Sequence, residues 1–195
     1  MISIGNFIIL IYASRFGELA VAGYGLATRF EQILLLPVLG LNTAIISIVG
    51  QNFGAKEHLR VKQSYYQAIA YGTIIMFVAA SIIFFSADKI VNIFTNDVVV
   101  INYGTIYLKI SALIFPAYPV YFISNGFFMA LKKASYAMNL NIIRNALLPI
   151  PTILFANFIG GSYKNFFWSY CLFNWIFVVL LLTFVSIYIK NNLHS

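Results

Sequence analysis

Four ionisable side chains, Arg29, Glu31, Lys109 and Arg144, stand inside long apolar runs of this 195-residue chain. Burying one at a bilayer centre costs at least about 2.5 to 3.5 kcal/mol, so such groups are functional candidates by default. Arg29 is either functional, given the cost of burying it, or a group that reaches the headgroups or an acid on another helix. Glu31 lies two positions further on, about 200° around a helix, so it turns away from Arg29 and meets a different helix. Lys109 and Arg144 each fall about nine residues into a run, roughly 13 Å deep, with stems long enough to snorkel part of that way. Asn141 and Asn145 share one helical face, with Arg144 beside the second; the group either lines a polar cavity or bonds neighbouring helices. Tyr118, Tyr121 and Phe122 sit by Pro116 and Pro119. Aromatic walls of that kind hold lipophilic cations by stacking and cation–π attraction. With Asn42, which interrupts another apolar run, the candidate substrate and ion cavity comprises Arg29, Asn42, Tyr118, Asn141, Arg144 and Asn145.

Enzyme chemistry finds no matching pattern. His58 and His194 have no partners at metal-ligand spacing and there is no glycine-rich phosphate loop, so no catalytic site, metal or cofactor is expected. Energy for any work must come from an ion gradient or from a partner.

The elements that position these groups must be helices in lipid. The chain is 62% hydrophobic and only 9% charged, with a mean hydropathy of +0.89, whereas soluble domains are about 25% charged. Lipid admits only helices or closed barrels, since unsatisfied backbone groups are too costly there. Barrel strands alternate in polarity; this chain has long apolar runs instead. The first, Ile2 to about Ala13, covers only about 18 Å and reads as half a helix. A second, from about Leu19 to Val49, is overlong and interrupted by Pro37, Gly40 and Asn42, so tilt, a kink at the proline or an overhang is expected. Further spans are expected at about Ser64 to Phe85, Asn102 to Leu131, Ser135 to Ile159 and Phe166 to Ile189.

The net charge of +7 would suggest nucleic acid if the cations formed a soluble stripe, but they fall in gaps between spans. Lys56, Arg60 and Lys62, then Lys132 and Lys133, then Lys190 alternate with a poorer set, Arg15, Lys89 and Lys164. The excess assigns the first set and the C-terminus to the cytoplasm of a multi-pass inner-membrane protein. Tyr163 and Trp168 at one end of the last span, and Tyr188 at the other, suit interface anchors. The single cysteine, Cys171, is a packing residue and permits no intrachain disulfide. The start shows no basic n-region or cleavage site and is not read as a signal peptide.

The stretch Gly17-Glu-Leu-Ala-Val-Ala-Gly-Tyr-Gly-Leu-Ala-Thr-Arg29, then Pro37 and Gly40, then Gly50-Gln51-Asn-Phe-Gly54-Ala55, resembles the second-helix signature of the multidrug and toxic compound extrusion family. Physically, Ala20, Ala22, Gly23, Gly25 and Ala27 let a neighbouring helix come close, and Pro37 with Gly40 supplies a bend that turns backbone groups to a cavity. Gly50 and Gly54, around Gln51, fit a helix end and tight turn.

The resemblance is closest to the C-terminal half and to DinF-like more than NorM-like members. It implies that residues 1–195 form a single all-α transmembrane domain of about six helices, the first truncated. That domain would be one lobe of a two-lobed, twelve-helix transporter. It further implies antiport of amphipathic or cationic drugs or metabolites against protons or sodium, with the missing N-terminal half or a second copy as partner. The acidic coupling residue that the family places in the other half would be absent here, so the chain reads as a fragment or half-size product. Two rivals stand beside this reading: a lipid-linked oligosaccharide or polysaccharide flippase of the same superfamily, kept open by Arg29, Lys109 and Arg144, and a non-transporting membrane assembly subunit.

Overall fold

A computed structural model of the chain describes residues 2–193. Met1 and His194, and the reading of His194 above, lie outside them.

The described residues fold into nine α-helices that make six legs. The first leg is α1 (Ile2–Ser14). The second is α2 (Glu18–Leu34) followed by α3 (Leu36–Gly54). The third, α4 (His58–Asn92), is one helix of 35 residues. The fourth joins α5 (Val98–Ala112), a 3-10 turn at Phe115–Ala117 and α6 (Tyr118–Ala130). The fifth joins α7 (Ala134–Ile142), a π-helical turn at Ile143–Leu147 and α8 (Pro149–Phe158). The sixth is α9 (Tyr163–Asn192). Taken singly, α3, α4 and α9 are long and apolar enough to cross a membrane, and α5 with α6 makes a fourth crossing bent by 41°. The span expected over Ser135 to Ile159 exists only as the segmented fifth leg.

Breaks sit where backbone donors are missing. Pro37 has no N–H to offer the helix behind it, and the chain turns at Leu35, whose N–H bonds the Glu31 carbonyl at 3.0 Å. The helix is therefore interrupted at Leu35, two residues before the proline. Gly40 is helical within α3 and exposed, and a Cβ there would meet nothing within 4 Å. In the fourth leg the Leu113 carbonyl, released at the bend, accepts from the indole Nε1 of Trp175 at 3.1 Å.

The turn after α3 also differs from expectation. Gly50 and Gly54 are helical, Gln51 is exposed, and the left-handed residue is Lys56, at φ 61°. Its N–H bonds the Phe53 carbonyl, and the N–H of Glu57 bonds that of Asn52, which is a Schellman closure. The turn after α6 repeats it with Lys132 at φ 59° and the N–H of Lys133 on the Phe128 carbonyl. Both lysines occupy a region that favours glycine.

Aromatic clusters mark the two ends of the bundle. At one end, Phe16, Tyr103 and Phe167 all pack on Tyr163, with ring centroids 4.8 to 5.7 Å apart. Tyr163 is buried, so it is a packing residue rather than the interface anchor expected, whereas Trp168 is exposed. At the other end, Phe128, Tyr136 and Tyr188 cluster, and the hydroxyl of Tyr66 donates to Ser186 Oγ at 3.1 Å. That end gathers Lys62, Lys132, Lys133 and Lys190 by position on these helices. Large apolar side chains cover the outside, with Phe85 82% and Phe158 86% exposed. Such a surface is stable only against hydrocarbon.

Replacing Lys56 or Lys132 by glycine relieves the left-handed strain and raises stability by about 1 kcal/mol each, net of the glycine's chain entropy. Thermal unfolding in detergent measures this; unchanged or lower midpoints for both variants would show that the turns carry no strain.

Candidate functional site

The site begins with a close helix contact. A Cβ at Gly23 would lie 2.8 Å from both the Gly104 nitrogen and the Val100 oxygen, so glycine is required for α2 to lie against α5 as it does. Ala20 and Ala27 are buried on the same helix, whereas Ala22 is exposed and a Cβ at Gly25 would meet nothing within 4 Å. About two turns beyond Gly23, Thr28, Glu31, Gln32 and Leu35 follow the i, i+3, i+4, i+7 spacing of one helix face. All four line a cavity of about 400 Å³.

Glu31 is its acid. The hydroxyl of Tyr107, from α5, donates to one carboxylate oxygen, and that of Tyr118, from the start of α6, donates to the other. The break between α5 and α6 makes this bracket possible, since Pro119 opens α6 just after Tyr118. Hydrogen bonds to a charged group contribute about 1.5 to 3 kcal/mol each, enough to offset much of the cost of placing an acid there.

The same cavity carries Arg144, only 9% exposed. It sits on the π-helical turn, where the Leu148 N–H reaches back five residues to the Ile143 carbonyl at 2.8 Å. Such turns recur at functional sites. Helix α1 rests on this turn: a Cβ on Gly5 would lie 3.0 Å from the Asn145 carbonyl oxygen. The Arg144 guanidinium lies 4.0 Å from the ring centroid of Tyr121, 4.8 Å from Tyr118 and 5.6 Å from Phe122. Each cation–π contact contributes about 0.5 to 2 kcal/mol, against several kcal/mol for desolvating an ion. Among the described residues the guanidinium has no carboxylate within 4 Å and makes no hydrogen bond; the ion pair found is that of Lys109 with Asp88.

The two asparagines serve both roles left open by the sequence. The Tyr121 hydroxyl donates to Asn141 Oδ1 at 2.6 Å and accepts from Asn145 Nδ2 at 3.4 Å. They thus bond the fifth leg to α6, while Asn145 also lines the cavity. Of the six candidates, Tyr118, Arg144 and Asn145 line the cavity and Asn141 stands one bond behind it. Arg29 is exposed and outside it. Asn42 lies on α3 with its Oδ1 turned to the α6 backbone at Gly126 and without a hydrogen-bond partner. Lys109 points away and pairs with Asp88 at 3.1 Å. Glu31, Gln32, Tyr107 and Tyr170 also line the wall; Glu31 was singled out as an intramembrane acid but not placed in the cavity, and the other three were not singled out. The polar stripe on α2 was the available signal for the first two.

The family model described as MatE matches residues 1–155. The FAD transporter of Shewanella oneidensis is 22% identical over 158 residues, 81% of this chain and 35% of that protein. The probable multidrug resistance protein YpnP of Bacillus subtilis is 28% identical over 174 residues, 86% of this chain and 39% of that protein. A solved transporter of the MOP superfamily from Pyrococcus furiosus shares the fold at a TM-score of 0.91 and 18% identity, covering 97% of this chain and 43% of its own. The chain thus spans well under half the length of these relatives.

Tyr118→Phe leaves one oxygen of Glu31 without its donor and is expected to lower stability by about 1 to 3 kcal/mol. A double-mutant cycle with Glu31→Gln, followed by thermal unfolding, should show coupling of at least about 0.5 kcal/mol. Strict additivity would mean that the hydroxyl and the carboxylate do not support one another.

Proposed function

Because the chain belongs to the MatE family, we propose that it works as one lobe of a secondary active transporter. In this reading it exports amphipathic small molecules, cationic ones included, in exchange for protons or sodium. One observation carries the reading: Glu31, an acid held by two tyrosines, faces a cavity walled by aromatic rings. A cation held there and a coupling ion compete for the same carboxylate, and competition at one site open alternately to each side is what antiport requires. The partner lobe, upstream in the same chain or as a separate copy, closes the cavity. The resemblance directs attention to an acid in that other half; Glu31 is an intramembrane acid within this one.

The flippase rival rests on cations in the cavity. Lys109 is paired elsewhere and Arg29 lies outside, which leaves Arg144 in its favour. An assembly subunit without transport has no use for an aromatic cavity with an acid in it. For orientation, the grouping of Lys62, Lys132, Lys133 and Lys190 at one end supports a cytoplasmic C-terminus.

In cells that express the full transporter, Glu31→Gln is expected to reduce efflux of a lipophilic dye cation by at least about tenfold, since the coupling interaction is lost, with normal expression. Efflux equal to that of the parent would remove Glu31 from the mechanism, whereas no efflux by the parent would favour the subunit reading. A fluorescent protein fused after the C-terminus should fold and fluoresce, as it does in the cytoplasm; a dark but full-length fusion would reverse the orientation.

A further inference from the structure

We propose that Arg144 is an anion anchor. The cavity's ligand carries a phosphate or carboxylate that bonds the guanidinium, while a flat unsaturated body adjoining it lies along Tyr118, Tyr121 and Phe122. This deepens the transport reading above and rests on it.

The argument starts from what Arg144 lacks. A guanidinium presents five N–H donors in a fixed fork and accepts nothing. Here its flat faces are against rings, which satisfies the charge in part but none of the N–H groups. Both oxygens of Glu31 take tyrosine hydroxyls and Asn141 Oδ1 takes that of Tyr121, and none of these oxygens is bonded to the guanidinium. Glu31 lines the same cavity but does not bond the guanidinium, so the N–H fork is left without a protein acceptor, a state that an acceptor on a ligand improves. The edge of the fork matches a phosphate or carboxylate in two parallel bonds, which an ammonium would not provide.

The surroundings narrow the ligand further. The cavity volume of about 400 Å³ suits a small molecule or the head of a larger one. Arg144 is the cation lining the cavity among the described residues, so a single anionic group is matched. Asn145, beside it on the same turn, adds a polar edge, and the three rings give a planar body stacking partners. Glu31 leaves room beside its carboxylate for a cationic centre. The two charges therefore assign different ends of a ligand, or different ligands, to different side chains.

The test uses the full transporter in lipid nanodiscs with three probes: 1-naphthyl phosphate, 1-naphthylmethylammonium and a polyprenyl phosphate. Binding of naphthyl phosphate should weaken at least about tenfold in Arg144→Gln and less in Arg144→Lys, while naphthylmethylammonium binds as well or better. The cation thereby reports that the cavity is intact. Competition by the polyprenyl phosphate would identify a lipid headgroup as the source of the anion and its failure to compete a soluble one; either supports the anchor provided naphthyl phosphate binding is itself weakened in Arg144→Gln. Naphthyl phosphate bound equally by the parent and Arg144→Gln overturns the proposal. So does a parallel loss of both naphthyl probes, which would make Arg144 merely structural. Should Arg144→Gln not fold, Arg144→Lys decides, and undiminished phosphate binding there overturns the fork-specific anchor. Exchange of naphthylmethylammonium against protons or sodium in liposomes is scored separately. Its absence in the parent refutes the transport reading, whereas intact exchange without phosphate binding refutes the anchor alone.

Discussion

Hydrocarbon offers no hydrogen bonds, so each backbone N–H and C=O of this chain has to find its partner within the protein. Regular helix meets that demand and accounts for most of the residues. Where a leg breaks, the repair is specific: Trp175 takes the Leu113 carbonyl, Leu35 turns back on Glu31, and Leu148 reaches Ile143 through a π-turn. These breaks border the cavity. Leu35 lines it, Tyr118 follows the bend of the fourth leg, and Arg144 sits on the π-turn. Irregular backbone is tolerated at membrane depth only beside protein or a cavity, and the same irregularity turns polar side chains inward.

The electrostatics follow from that placement. One acid and one cation line a common cavity without touching. The acid is bracketed by hydroxyls and the cation by rings, so each has been stabilised separately rather than by pairing. A direct Glu–Arg bridge would neutralise both and leave a ligand nothing to bind; the tyrosines of α5 and α6 hold the charges apart. By contrast Lys109 and Asp88, on the far side, satisfy each other across α4 and α5 and are exposed. That pair joins two helices and is absent from the cavity wall.

Much of this was legible from residue types. Long apolar runs with few charges required a helical membrane protein, and the second-leg signature pointed to the family that the residue 1–155 match establishes. Arg144, Asn145 and Tyr118 were named as cavity candidates because polar groups in apolar runs are costly and aromatic walls hold cations, and all three line this cavity. Arg29 was read by the same rule, yet it is exposed on this lobe, since burial cost says that a charge must be accommodated without saying on which face. The left-handed Lys56 departed from the glycine-centred expectation for its turn because hydrogen-bond closure at a helix end, rather than residue preference alone, selects the turning residue.

What the sequence by itself determined is the class of solvent, the helical legs, their order and the inventory of charges that had to be sheltered, because these depend on local composition and on the cost of exposing backbone to lipid. Which charges meet is another matter. That Glu31 is met by Tyr107 and Tyr118, 76 and 87 residues away, depends on Gly23 admitting α5 and on a bend that aims α6. That Arg144 stacks on α6 instead of pairing with the acid depends on a π-turn held against α1. These are long-range contacts set by how helices pack, and only the tertiary structure decided them.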